Sequence, residues 1–195
     1  MIKQPSFQLV ARRKLLVSGA RALSGTGVAL LAGRPALAAK QKGSHDASKD
    51  VATLNTALAL EHEGINAYTL AAQSNLLDKS VLGVATKFQD DHKVHRDRLI
   101  MAVKSLGGTP VAEKSLAEYA KELDVAKLKS QADILDFAAG LERGAVNAYL
   151  GIIPSFSEHK LALLAGQLAT DETVHFTVLS QALNRPLPAP LSFGA

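Results

Sequence analysis

The sequence has no cysteine, no tryptophan, two methionines and only 5% aromatic residues among 195. The missing thiols exclude a disulfide framework, thiolate zinc sites and a catalytic cysteine. Segments alternating apolar and polar residues are nearly absent too, which argues against a β-sheet fold. A hydrophobic share of 47% rules out wholesale disorder and leaves enough apolar surface for the core of one domain. Positive charge is in excess: 22 Lys and Arg face 18 Asp and Glu, a formal net of +4. Such a balance ordinarily points to nucleic acid or an anionic membrane surface.

The placement of the charges removes that inference. Residues 1–39 hold Lys3, Arg12, Arg13, Lys14, Arg21 and Arg34 and no acid, which leaves 16 bases against 18 acids elsewhere. No nucleic-acid partner is expected. Arg12-Arg13-Lys14-Leu15-Leu16 is followed by a mildly apolar stretch from Ala22 to Leu31 and by the small-x-small run Ala36-Leu37-Ala38. This arrangement resembles a twin-arginine (Tat) export signal. The resemblance implies the Tat machinery as a partner, a periplasmic or secreted location, and export of an already folded, cofactor-loaded protein. Gly25, Gly27 and Gly33 interrupt the stretch, so it is too short and broken for a membrane span, and an integral membrane protein is not expected. Four segments are therefore expected: a signal over 1–39, a polar linker over 40–50, a folded unit over 51–184, and a proline-punctuated, extended tail over 185–195.

Within 51–184 the apolar period is helical throughout, which predicts an all-α unit. Helices are expected over about 51–74, 81–106, 131–153 and 158–183. Gly107-Gly108 stops the second, Pro154 ends the third, and Ser157 is the expected N-cap of the fourth. The first and second helices, and the third and fourth, have room for only short turns, so each pair reads as an antiparallel hairpin. The second and third are joined by 107–130, 24 residues that include a charged amphipathic piece over 112–123. Two hairpins joined by one long crossover form the ferritin-like four-helix bundle topology.

The two hairpins repeat one another. Leu60-Glu61-His62-Glu63-Gly64-Ile65-Asn66-Ala67-Tyr68 aligns with Leu141-Glu142-Arg143-Gly144-Ala145-Val146-Asn147-Ala148-Tyr149, matching at five of nine positions. Asp91-His92-Lys93-Val94-His95 aligns with Asp171-Glu172-Thr173-Val174-His175, matching at Asp, Val and His. Glu61, His92, His95, Glu142, Glu172 and His175 all fall on apolar stripes. Unpartnered buried carboxylates cost several kcal/mol, and no Lys or Arg occupies a stripe position to neutralise them. A divalent metal is the compensating charge that the pattern allows.

These residues resemble the di-metal carboxylate proteins of the ferritin-like superfamily, such as bacterioferritin, rubrerythrin and manganese catalase. Their pattern is one Glu from each of two helices and a Glu-x-x-His from each of the others. The resemblance implies Glu61 and Glu142 as single ligands, Glu172 and His175 as a complete Glu-x-x-His, His95 as the second His, and Tyr68 and Tyr149 as hydrogen-bonding supports of ligating carboxylates. It departs from the pattern at His92, which stands where a metal-bridging Glu belongs. An asymmetric dinuclear centre, a mononuclear centre and a degenerate remnant all remain open. Asp91, about 100° round the helix, is a poor substitute.

The expected cofactor is a divalent transition metal, Fe or Mn, at one or two ions per chain, with dioxygen or hydrogen peroxide as its partner and no organic cofactor. Catalytic residues are not assigned. His62 and Glu63 read as solvated, with His62 an accessory ligand at most, and His45 and His159 as exposed. Asn66 and Asn147 read as packing or helix–helix residues. A homo-oligomer, in the simplest case a dimer, is expected. The functional expectation is an exported metal-binding oxidase or metal-handling protein; the alternative is a non-catalytic exported bundle, stress-related or structural.

Overall fold

A computed structural model describes residues 46–194 of the chain. The expected export signal, the beginning of the linker and His45 lie outside the described residues. Five α-helices and no strands occur among the described residues: α1 (Ala47–Gln73), α2 (Lys79–Ser105), α3 (Leu116–Glu122), α4 (Gln131–Ile152) and α5 (His159–Ala182), with single 3-10 turns at Val125–Lys127 and Ile153–Ser155. None of them is long and apolar enough to cross a membrane.

Local chemistry sets the ends. Asp46 caps α1 by accepting a hydrogen bond from the Lys49 amide, so the helix starts at Ala47, four residues before the apolar period begins. Ser115 and Glu118 form a reciprocal capping box on α3, and Ser130 caps α4. After α2, Gly107 takes a left-handed φ of +76°, and Gly108 N–H donates to Val103 O, which closes the helix end. Ser157 does not cap α5. Glu158 holds that position without a side-chain cap bond, and the Ser157 hydroxyl lies 3.4 Å from Asp50 Oδ2. A contact between the hairpins takes the place of the expected local one.

The helices α1 and α2 form one antiparallel hairpin and α4 and α5 the other, and they face each other with α1 against α4. Two apolar layers fill the interior. One contains Leu54, Leu58, Leu99, Val103, Tyr149 and Leu168. The other, towards the opposite end, contains Tyr68, Phe88, Leu135, Ala138, Phe176 and Leu179. The polar cluster lies between these layers.

The crossover climbs the length of α1. Asn55 takes the first rung, its amide donating to Thr109 O and its Oδ1 accepting from Val111 N. His62 Nε2 then sits 3.3 Å from Val111 O, and Asn66 donates to Glu113. Higher up, Tyr119 and Leu123 of the α3 segment pack with Ala67. Gln131 and Asp78 exchange hydrogen bonds at the far end. This cover explains a correction to the sequence reading: His62 and Glu63 are 5% and 3% exposed, buried beneath the crossover and not solvated.

The tail returns to the bundle as a non-helical segment that turns at Pro190–Leu191. Arg143 donates to Ser192 O and lies against the rings of Phe176 and Phe193, while Gly194 N–H donates to Asn147 Oδ1. Asn66 and Asn147, matched in the repeat, thus each fasten a non-helical segment.

The tightest approach in the crossover is at Gly108, where a Cβ would lie 2.6 Å from Val51 Cγ1. Gly108→Ala is expected to destabilise the protein by about 1–3 kcal/mol through overpacking, measured by denaturant unfolding; unchanged stability would show that this end of the bundle is loose.

Candidate metal centre

Each of the four long helices contributes to one buried cluster: Glu61 from α1, His92 and His95 from α2, Glu142 from α4, and Glu172 and His175 from α5. None is more than 5% exposed. The spacing within helices does part of the work, since residues three apart lie on adjacent turns of one face. Packing of the two hairpins does the rest. The groups form two overlapping quartets whose ligand atoms lie within 4.8 Å of one another: Glu61, His92, His95 and Glu172, and His92, Glu142, Glu172 and His175. His92 and Glu172 belong to both.

The shared residues divide their atoms between the quartets. Glu172 Oε1 is 3.1 Å from His95 Nδ1, and its Oε2 is 3.2 Å from His175 Nδ1. His92 Nδ1 is 2.8 Å from Glu61 Oε2, and its Nε2 is 3.4 Å from Glu142 Oε1. Gly64 makes room for this ring: a Cβ there would meet His92 ring atoms at 3.1–3.3 Å. The matching position of the other hairpin is Ala145, and the shared residue of that hairpin is the slimmer Glu172.

The supports of the cluster cross between hairpins. Tyr68 of α1 donates to Glu142 of α4, and Tyr149 of α4 donates to Glu61 of α1. Outside the cluster, Asp171 Oδ2 lies 3.2 Å from His95 Nε2, and Asp91 Oδ2 lies 3.3 Å from His175 Nε2. Each carboxylate orients the imidazole of the opposite hairpin and leaves its Nδ1 facing inward.

The sequence profile of the Ferritin-like domain matches residues 49–185. The chain belongs to the ferritin-like family. Among solved structures, a conserved hypothetical protein of Mycobacterium tuberculosis is similar at a TM-score of 0.59 and 24% identity, over 74% of this chain and 97% of that one. That likeness concerns the fold. No curated protein matches the chain.

Electrostatics within the ferritin-like core are balanced by the six groups themselves. The ion-pair partners of Glu61, Glu142 and Glu172 are imidazoles, and no Lys or Arg pairs with them among the described residues. Burial would raise the Glu61 carboxyl, but His92 and His95 beside it hold it at about 2. Burial likewise opposes ionisation of Glu142, yet the His92 charge keeps it well below the usual carboxylate range. Glu172 is pushed up to about 7, by burial first and by its neighbour Glu142. Burial would lower the imidazoles; contact with the carboxylates instead raises His95 to about 10 and His175 to about 9, and His92 well above its ordinary value. Burial and the adjacent carboxylates push both tyrosines well above 10, so Tyr68 and Tyr149 remain proton donors.

The donor set suits a metal. Each quartet offers two imidazoles and two carboxylates, a mixture that accommodates Fe, Mn, Zn or Cu. Glu142 Oε2 is buried without a hydrogen bond and stands 3.6 Å from His175 Nδ1, an acceptor left for a cation. A cavity of about 280 Å³ between α1 and α4 reaches the cluster at His92, Glu142 and Tyr68. Its walls are mainly apolar, with Ala67 and Ala71 facing Phe137, Ala138 and Leu141, and Val125 and Leu128 of the crossover along one side.

The structure brings together all six residues singled out by the repeat and places both tyrosines on their carboxylates. It does not bring His62 to either quartet: His62 Nε2 faces Val111 O, and Nδ1 makes no hydrogen bond. His159 is exposed. The sequence reading missed the roles of Asp91 and Asp171, although their repetition four residues before His95 and His175 was the available signal, and it missed Gly64, which only the ring beside it explains.

The raised imidazoles favour protons in the folded state, so their contribution to stability is full below about pH 6.5 and is lost as pH rises through 9 to 10. Glu172 acts the same way between about 4.5 and 7, whereas the Glu61 contribution is lost only as pH falls towards 2. Metal ligation needs proton-free imidazoles and gains over the same interval. The Tm of metal-free protein is therefore expected to fall from pH 5 to pH 9, while the gap between metal-loaded and metal-free Tm widens, as calorimetry at fixed ionic strength would show.

Proposed function

We propose that this ferritin-like protein is an exported oxidoreductase whose centre holds two ions of iron or manganese and handles dioxygen or hydrogen peroxide. The observation that carries the reading is the overlap of the quartets. Two ligand sets that share His92 and Glu172 favour two ions held side by side over one ion or none. Glu61 and His95 would hold one ion, Glu142 and His175 the other. The bound metals supply one-electron valence changes and a binding place for the oxidant. Turnover and the choice of Fe or Mn are carried over from the ferritin-like superfamily.

The protein's own groups do the rest. The tyrosines donate hydrogen bonds to Glu61 and Glu142 and fix those carboxylates, while Asp91 and Asp171 fix the outer imidazoles. Apolar layers on either side exclude water. The apolar cavity gives a small uncharged oxidant a path to His92 and Glu142. Export rests on the twin-arginine leader, which places the centre in the periplasm or beyond after metal has been acquired. A dimer is the simplest assembly.

A second reading, a non-catalytic exported bundle, is favoured by one observation: the imidazoles and carboxylates neutralise one another as they stand, and the fold can close on protons alone. Anaerobic loading of leader-free protein separates the two. Two Fe²⁺ per chain, oxidised when air is admitted, is the expected result. Binding without oxidation would select the second reading, and failure to bind either Fe²⁺ or Mn²⁺ would sink both the two-ion centre and its chemistry. Glu172→Ala, which removes a shared ligand, is expected to abolish two-ion binding by elemental analysis. Ala67→Phe, which fills the cavity, is expected to slow oxidation about tenfold or more while the metal content stays at the wild-type level; equal rates would mean that the oxidant arrives by another path.

A further inference from the structure

Three imidazoles share the cluster, but they are not equivalent. His95 and His175 each turn Nδ1 inward, and each gives its Nε2 to an aspartate of the opposite hairpin, Asp171 and Asp91 respectively. One nitrogen is thus available to an ion and the other is engaged from outside. Neither nitrogen of His92 meets an outer carboxylate. Its Nδ1 faces Glu61 Oε2 at 2.8 Å and Glu172 Oε1 at 3.6 Å, in the first quartet, and its Nε2 faces Glu142 Oε1 at 3.4 Å, in the second.

We propose that His92 bridges the two ions, Nδ1 to the ion of Glu61 and His95, and Nε2 to the ion of Glu142 and His175. This inference rests on the two-ion reading above and states how the ions are joined. Neutral imidazole offers one nitrogen lone pair and one N–H, so to bridge, the His92 ring gives up its ring protons to solvent as the two ions bind. The resulting imidazolate has two in-plane lone pairs directed away from each other, and a ring set between two ligand sets reaches both. Glu172 does the same across the cluster with its two oxygens. One nitrogen bridge and one carboxylate bridge replace the pair of carboxylates that the superfamily pattern would supply.

The remainder of the site accommodates this ring. Gly64 leaves the space that a Cβ would take from it, and glycine inside a helix costs about 1 kcal/mol relative to alanine, a cost the Ala145 position of the other hairpin does not incur. Tyr68, one turn further along α1, also packs against the imidazole, at 5.5 Å between ring centroids. His92 is therefore held in place as a ring, not left where a glutamate was lost.

The bridge has a geometric consequence. Two metal–nitrogen bonds of about 2.0–2.1 Å, with the width of the ring between them, hold the ions further apart than the roughly 3.5–4 Å of oxygen-bridged two-metal sites. A single oxygen atom does not span that gap, so this centre would handle its oxidant at one ion at a time, with the ring as the connection between them.

Crystals of the protein loaded with Co²⁺ test the inference by anomalous diffraction. Two peaks are expected per chain, each about 2.0–2.1 Å from a different nitrogen of His92 and separated by well over 4 Å. Peaks less than about 4 Å apart, or His92 touching only one of them, would overturn the bridge and leave the two-ion centre standing. A single peak would overturn the bridge and the two-ion count together, and the absence of any peak would remove the metal reading as a whole. His92→Glu is expected to retain two peaks and draw them within about 4 Å. Gly64→Ala adds a solution readout. With Cu²⁺, the exchange coupling in the electron paramagnetic signal of the wild type should change to that transmitted by the Glu172 carboxylate alone as the ring is displaced, with helicity by circular dichroism unchanged. Wild-type Cu²⁺ that is fully loaded yet uncoupled would count against the bridge.

Discussion

Three carboxylates buried in the middle of a helical bundle must be neutralised by groups equally buried. Desolvating an ion costs several kcal/mol even after relaxation, and the apolar layers above and below the cluster keep water from sharing that cost. Lysine and arginine are absent from the cluster, so three imidazoles balance Glu61, Glu142 and Glu172. The register of the helices follows from this requirement, because all four long helices must bring their carboxylates and imidazoles to one height. The tyrosines follow too: each gives a carboxylate oxygen a partner that adds no charge. A cluster of this kind carries its protons as stand-ins for cations.

Much of the architecture was legible because helical periodicity is strong in long segments, and because the chain states its pattern twice. One copy of Leu-Glu followed seven residues later by Tyr would have been weak; two, each followed at nearly equal distance by an Asp-x-x-Val-His, define faces that must meet. The positions of Glu61 and Glu142 opposite the Tyr of the other copy follow from that duplication. What stayed hidden depends on contacts between distant segments. His62 and Glu63 lie off the stripe and read as solvated, yet the crossover lies over them. Ser157 has the chemistry of a cap and uses it on Asp50 of another helix. Asp91 was set aside by its angle round α2, and the same angle carries it past its own cluster to His175 of the neighbouring helix.

The substitution at His92 shows how a change of ligand draws in its surroundings. A glutamate reaches out on a flexible stem, whereas an imidazole is a rigid plate that must be given width. Width came from the backbone side, at Gly64, and not from enlarging the cluster. The same glycine, with Ala67 and Ala71 further along α1, keeps the helix surface low facing α4, and the apolar cavity opens there. Room for the ring and access to the cluster thus share a cause in small side chains on one face of α1.

The hydrogen bonds that reach the ligands from outside the cluster run between hairpins, not within them. Tyr68 serves Glu142, Tyr149 serves Glu61, Asp91 serves His175 and Asp171 serves His95. A hairpin taken alone would present ligands with none of these supports in place, and the supports it carries would point at nothing. Half of this protein is therefore not half a centre. The smallest assembly of such hairpins that can complete one is a facing pair, whether joined by a crossover, as here, or as two identical chains related by a twofold axis.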